Sequence, residues 1–228
     1  VYYLPGGFAR IEGIHPGELS KPAATSEGKS MSAAPAVSAT TVADESVLSA
    51  REVILAELAA SARTVEASQA AQAARMIGGA PRVFLTGAGR SGLVLRMAAM
   101  RLMHLGLRVH VVGETTTPAI GADDLLVVAS GSGTTSGVVK SAETAASIGA
   151  QILAVTTDGT SPLANLATAT VLVPAVRKTD HGSSLSQQYS GSLFEQSLFV
   201  LTETIFHILW KNTDCAAEEL WTRHANLE

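Results

Sequence analysis

The chain has 228 residues, of which 46% are hydrophobic and 16% charged, with a net charge of −4. That composition allows one sizeable core and excludes a disordered chain, and the scattered Lys and Arg argue against a nucleic-acid partner. The single cysteine, Cys215, permits no internal disulfide, no Cys/His cluster has zinc spacing, and no apolar run is long enough to span a membrane. A reducing, cytoplasmic setting without a metal or a membrane partner is the expectation.

Residues 1–43 are rich in Gly, Pro and Ser and show no sustained period. They are expected to form a disordered or non-native tail, with Met31 as a candidate natural start. From Asp44 the pattern turns helical. Val47, Val53, Ile54, Leu55, Leu58 and Val65 are spaced for one or two amphipathic helices over 44–78, stopped by Gly78-Gly79.

Strands and helices then alternate over 82–211. RVFLTG (82–87), LRVHVVG (107–113), DLLVVAS (124–130), QILAVTT (151–157) and ATVLVPA (169–175) read as five strands. Helices are expected at 91–106, 135–149, 161–167 and 192–211, with a polar loop at 176–191 and a tail at 212–228. Nearly continuous apolar strands between helices imply α/β architecture: a three-layer αβα sandwich around a five-stranded parallel sheet. Ligands of such sheets bind beyond the carboxyl ends of the strands. The informative positions should therefore lie at 86–92, 113–118, 130–135 and 156–161.

TGAGRSG (86–92) carries the G-x-G-x-x-G spacing of a dinucleotide loop, with Glu114 about twenty residues further on. The loop alone equally fits another phosphate, or a tight turn that binds nothing. SGSGTTSG (130–137) narrows the choice. Ser130, Ser132, Thr134 and Thr135 alternate with Gly131 and Gly133 at a helix start, where hydroxyls and open N–H groups make an anion site. Without a lysine, this loop suits one phosphate monoester better than a nucleotide triphosphate. Ser91, expected to open and cap the preceding helix, can serve the same anion. One N-cap would explain one of these hydroxyls but not the whole run.

SGSGTT after GAGRS resembles the phosphate loops of the sugar isomerase (SIS) domain. MRLMHLG (100–106), VGETTTPAI (112–120), SLFEQ (192–196) and RHANLE (223–228) are similar to segments of the 6-phospho-3-hexuloisomerase family. The resemblance covers about residues 44–228, as a single SIS domain. It implies a flavodoxin-like five-stranded fold and a homotetramer that uses no cofactor. The implied reaction interconverts D-arabino-hex-3-ulose 6-phosphate and fructose 6-phosphate, in the ribulose monophosphate route of formaldehyde fixation.

The resemblance also assigns roles. Glu195 read alone fits a capping box with Ser192, in which its carboxylate takes the Ser192 N–H; the family motif makes it the catalytic base instead. His104 and His224 are implied to move protons at oxygen, and His224 sits near a terminus where a neighbouring subunit's site could receive it. Late in a helix, His104 also fits a simple dipole contact. His181 is a weaker candidate. Arg90 is open between facing the phosphate or sugar, lying in solvent, and pairing with an acid on another subunit. Two departures stand out: the proline usual before Gly191 is absent, and Thr134 stands where an acidic residue is common. An arabinose 5-phosphate isomerase and a transcriptional sugar-phosphate sensor are the competing readings. The MRLMHLG and RHANLE matches oppose the first. The scarcity of Lys and Arg before residue 80 opposes the second.

Overall fold

The computed structural model describes residues 43–175 and 186–227. The expected tail, apart from Ala43, lies outside these residues, as does His181. Two helices come first, α1 (Asp44–Thr64) and α2 (Ala67–Gly79), and α2 ends on the second of the paired glycines. The rest alternates: β1 (Val83–Gly87), α3 (Gly89–His104), β2 (Val109–Val111), β3 (Leu125–Ala129), α4 (Ser136–Ile148), β4 (Gln151–Thr156), α5 (Pro162–Leu166), β5 (Ala169–Leu172) and α6 (Ser192–Lys211). A short helix, α7 (Ala217–Trp221), follows in the segment expected to be a tail.

All strands pair in parallel, in the order β2-β1-β3-β4-β5. This is the expected five-stranded parallel sheet. The two edge strands are shorter than their apolar runs suggest. An edge strand has a ladder on one side only, so β2 and β5 keep regular pairing over just three and four residues.

The strands look uniformly apolar because both faces are covered. Their alternate residues nevertheless feed two separate cores. Val83, Leu85, Leu125, Val127, Leu153 and Val155 pack with α2, α3 and α6. Phe84, Leu126, Val128, Ile152 and Ala154 pack with α4 and α5. Helices on both faces give the three layers.

The order 2-1-3-4-5 places a topological switch between β1 and β3: α3 leaves on one face and α4 on the other. The crevice at the carboxyl ends of these two strands is thus bordered by TGAGRSG and SGSGTT. Close packing keeps the first loop in place. A Cβ on Gly92 would collide with the Gly87 carbonyl oxygen, so helix α3 starts directly against the end of β1 only because residue 92 has no side chain.

That contact sets the first prediction. Gly92→Ala is expected to cost about 1–3 kcal/mol of stability by overpacking. Gly79→Ala, whose Cβ meets nothing within 4 Å, is expected to be neutral or to stabilise by about 0.4–1 kcal/mol. Urea denaturation of the two variants compares them, and an equal response in both would contradict the close-packing account.

Candidate active site

Between the ends of β1 and β3 lies a cavity of about 240 Å³, lined by Gly89, Ser91, Ser130, Gly131, Ser132, Thr135, Gly191 and Phe194 among others. Three helices begin at its edge. The N-cap residues of α3, α4 and α6 are Ala88, Thr135 and Gly191, and none of them makes a side-chain cap bond. Helix starts without side-chain caps therefore border a hydroxyl-bearing cavity, an arrangement that favours an anion.

The structure corrects two local expectations. Ser91 does not cap α3; it lies inside the first turn, only 5% exposed, and lines the cavity. Thr135 is the N-cap of α4, but its hydroxyl is 2.9 Å from the Ser130 hydroxyl instead of closing the helix. Thr134 donates to the Ser132 hydroxyl at 2.9 Å on the exposed side of the loop.

Glu195 gives a third correction. No side chain caps α6, so the capping box with Ser192 does not form. The carboxylate instead lies 3% exposed in the first turn of α6, with Oε2 2.6 Å from Nε of Arg90. Arg90 thus pairs with an acid of its own chain, while its side chain stays 64% exposed. The residues around this pair belong to the cavity: Gly89 and Ser91 flank Arg90, and Phe194 precedes Glu195. A nearly buried carboxylate, oriented by a guanidinium and set directly behind the cavity lining, has the chemistry of a general base.

The missing proline before Gly191 has a physical substitute that the sequence did not reveal. Glu57 of α1 accepts hydrogen bonds from Ser186 Oγ (2.6 Å), the Gln187 N–H (2.7 Å) and Gln188 Nε2 (2.9 Å). Gln188 Oε1 in turn accepts from Gln196 Nε2 of α6 at 2.7 Å. Burial pushes the Glu57 carboxyl up, but these hydrogen bonds outweigh it and hold it below its ordinary range. The turn into the Glu195 helix is therefore tied to α1. The partners are more than a hundred residues apart in the chain, so no local pattern signals them.

The histidines sit elsewhere. His104, at the end of α3, is 4% exposed and stacks on His224, with ring centroids 3.9 Å apart. Trp221 packs on the other ring at 4.5 Å, and Arg223 donates to the His104 carbonyl at 2.9 Å. The structure thus brings His104 and His224 together, but at the far end of α3 from Arg90, about 21 Å along the helix at 1.5 Å per residue. Glu114, the acid that a dinucleotide reading would use, is paired with Arg96 on the exposed face of α3 at 2.5 Å.

Comparison with known proteins defines the class first. Residues 76–200 match the SIS domain family. The 3-hexulose-6-phosphate isomerase of Mycobacterium gastri is 62% identical over 196 residues, 86% of this chain and 98% of that protein. The enzyme of the same name from Bacillus subtilis is 37% identical over 176 residues, 77% of this chain and 95% of that one. A Methanococcus jannaschii protein, whose crystal structure infers a molecular function of 3-hexulose-6-phosphate isomerase, superposes with a TM-score of 0.68. It is 28% identical and covers 79% of this chain and 99% of that one. The chain belongs to the SIS-domain family and, within it, to the 3-hexulose-6-phosphate isomerase family.

The buried histidine sets the second prediction. Burial, then the charges of His224 and Arg101, push the His104 imidazole below its ordinary value. The folded state therefore resists protonating it. Its contribution to stability is present above the unfolded value of about 6.5 and is lost as pH falls through the lowered folded value. Melting temperature should drop between pH 7.5 and 5, and His104→Gln should flatten that drop. An unchanged pH slope in the variant would refute the assignment.

Proposed function

We propose that the chain is a sugar-phosphate isomerase that interconverts D-arabino-hex-3-ulose 6-phosphate and fructose 6-phosphate through an enediolate. The observation that carries this reading is the buried Glu195 carboxylate, held by Arg90 beside the hydroxyl-lined cavity at the β1–β3 switch. The relatives' shared name supplies the substrate class. Ser91, Ser130, Gly131, Ser132 and Thr135 line the cavity and form the phosphate cradle; Gly133 and Thr134, expected there from the sequence, lie outside its lining. Glu195 takes the proton from C2 of the 3-ketose and returns it to C3. Arg90 orients the carboxylate and faces the sugar.

The remaining proton transfers, at the two oxygens, fall to His104 and His224. Their distance from Glu195 within one chain supports supply from a neighbouring copy. So do the apolar residues left open on α1 and α3: Val47, Leu48 and Leu55, and Leu93, Met97 and Met100. We propose a cytoplasmic homotetramer, each chain a single SIS domain over residues 44–228, acting in the ribulose monophosphate route. Among the described residues no helix is long and apolar enough to cross a membrane.

Incubation with fructose 6-phosphate in D2O, without added cofactor, should place deuterium at C3, read by NMR. Glu195→Gln should lower both exchange and turnover by about a hundred- to ten-thousandfold. Folded wild-type protein that catalyses no exchange would sink the isomerase; a Gln variant near wild-type rate would sink the base assignment alone.

Substrate form adds a directional prediction. In the 3-ketose the C6 oxygen, which would close a five-membered ring on C3, carries the phosphate, so this substrate stays open-chain. Fructose 6-phosphate closes through its C5 hydroxyl. If His224 assists ring opening, His224→Ala should slow fructose 6-phosphate consumption at high enzyme more than single-turnover use of the 3-ketose. Equal loss in both directions would remove that role.

A further inference from the structure

The phosphate loop is gripped from behind by the turn that follows β4. The Gly131 carbonyl accepts three hydrogen bonds: from Thr157 Oγ1 at 2.8 Å, the Thr157 N–H at 3.0 Å and Thr156 Oγ1 at 3.1 Å. The Gly133 carbonyl accepts a fourth bond from the start of α5, the Leu163 N–H at 3.1 Å. Gly133 has φ +64°, and a Cβ there would collide with the Ser161 side chain, so the two turns fit without space for any other residue.

A trans peptide places its N–H opposite its C=O. With the Gly131 oxygen drawn towards β4, the Ser132 N–H of the same peptide points away from that turn. Gly131 and Ser132 both line the cavity, which Thr156 and Thr157 do not. Among the described residues no protein acceptor takes the Ser132 N–H. Donors converging on a carbonyl polarise the peptide and strengthen the N–H at its other end, since linked hydrogen bonds reinforce one another.

We propose that Thr157, helped by Thr156, is a positioning residue for the phosphate site. It polarises the Gly131–Ser132 peptide so that the Ser132 N–H binds the substrate's phosphate dianion. The assignment rests on the isomerase reading for its ligand, and on the triple-donor geometry for its mechanism. Thr157 touches no substrate; its effect passes through the peptide. Phosphate binding precedes the proton transfers, so the loss should fall on KM and not on kcat.

Thr157→Val removes the hydroxyl and keeps the shape. It should raise KM for the sugar phosphate, and the inhibition constant of inorganic phosphate, by about two- to fivefold, the upper end being the full worth of the lost hydrogen bond. kcat should stay within about twofold. Thr157→Ser, which restores the hydroxyl, should recover wild-type values. Thr157→Ala serves if the valine variant fails to fold. As a control, Thr168→Val removes the hydroxyl that accepts the Ile152 N–H at 3.0 Å on another stretch of β4; it should leave KM unchanged.

Amide NMR gives the independent readout. Inorganic phosphate should move the Ser132 amide proton downfield in the wild type and by less in Thr157→Val. A wild-type shift that persists in full in the variant, with KM unaltered, overturns the polarising role and leaves the phosphate cradle standing. A wild-type Ser132 signal indifferent to phosphate overturns the anion site itself, and this proposal with it.

Discussion

The whole site depends on one topological constraint. β1 and β3 lie side by side and run in the same direction, but α3 and α4 leave them on opposite faces of the sheet. Their connections must diverge, and divergence opens a crevice at the carboxyl ends of the strands. Both glycine-rich turns face it because both strands end there. Had the two helices packed on one face, their side chains would have filled the space.

The crevice is electrostatically prepared by omission as much as by addition. Three helices start at its edge with no side chain closing their first turn. Their N–H groups keep the partial positive charge of helix N-termini. The hydroxyls that would ordinarily act as caps lie elsewhere: Thr135 pairs with Ser130, and Ser91 sits within the first turn of α3. Arg90 places the only nearby full positive charge described at this site against Glu195, not in the cradle. What the crevice offers an anion is therefore dipoles and hydroxyls.

Two supports brace this arrangement from outside. The turn after β4 and the start of α5 anchor the SGSGTT loop through the Gly131 and Gly133 carbonyls. Glu57 of α1 anchors the entry to α6 through Gln188 and Gln196. Neither support contributes a lining group to the cavity. Each fixes the backbone that presents one, as a cradle built from N–H groups requires. The His104–His224 stack stands apart from both, at the other end of α3. The Arg90–Glu195 pair and the two histidines therefore lie at opposite ends of α3.

Much was legible in the residues themselves. Apolar runs of strand length, alternating with helical periods, determined a parallel sheet covered on both faces, because only that arrangement buries both sides of each strand. The two glycine loops marked the strand ends, and the structure brings both to one cavity. Sequence was least reliable where a local motif competes with a distant partner. Ser192 and Glu195 have the spacing of a capping box, yet the carboxylate prefers Arg90, a full charge brought by the packing of α3 against α6. Thr156, Thr157 and Glu57 carry no local signature of their tasks, since their partners lie from 25 to more than 120 residues away. Periodicity and turn chemistry act between near neighbours, so the sequence alone could determine elements and layers, and its motifs the family. Which carbonyl is held, which carboxylate is paired and which helix start is left open depend on contacts between distant segments, and only the tertiary structure decided them.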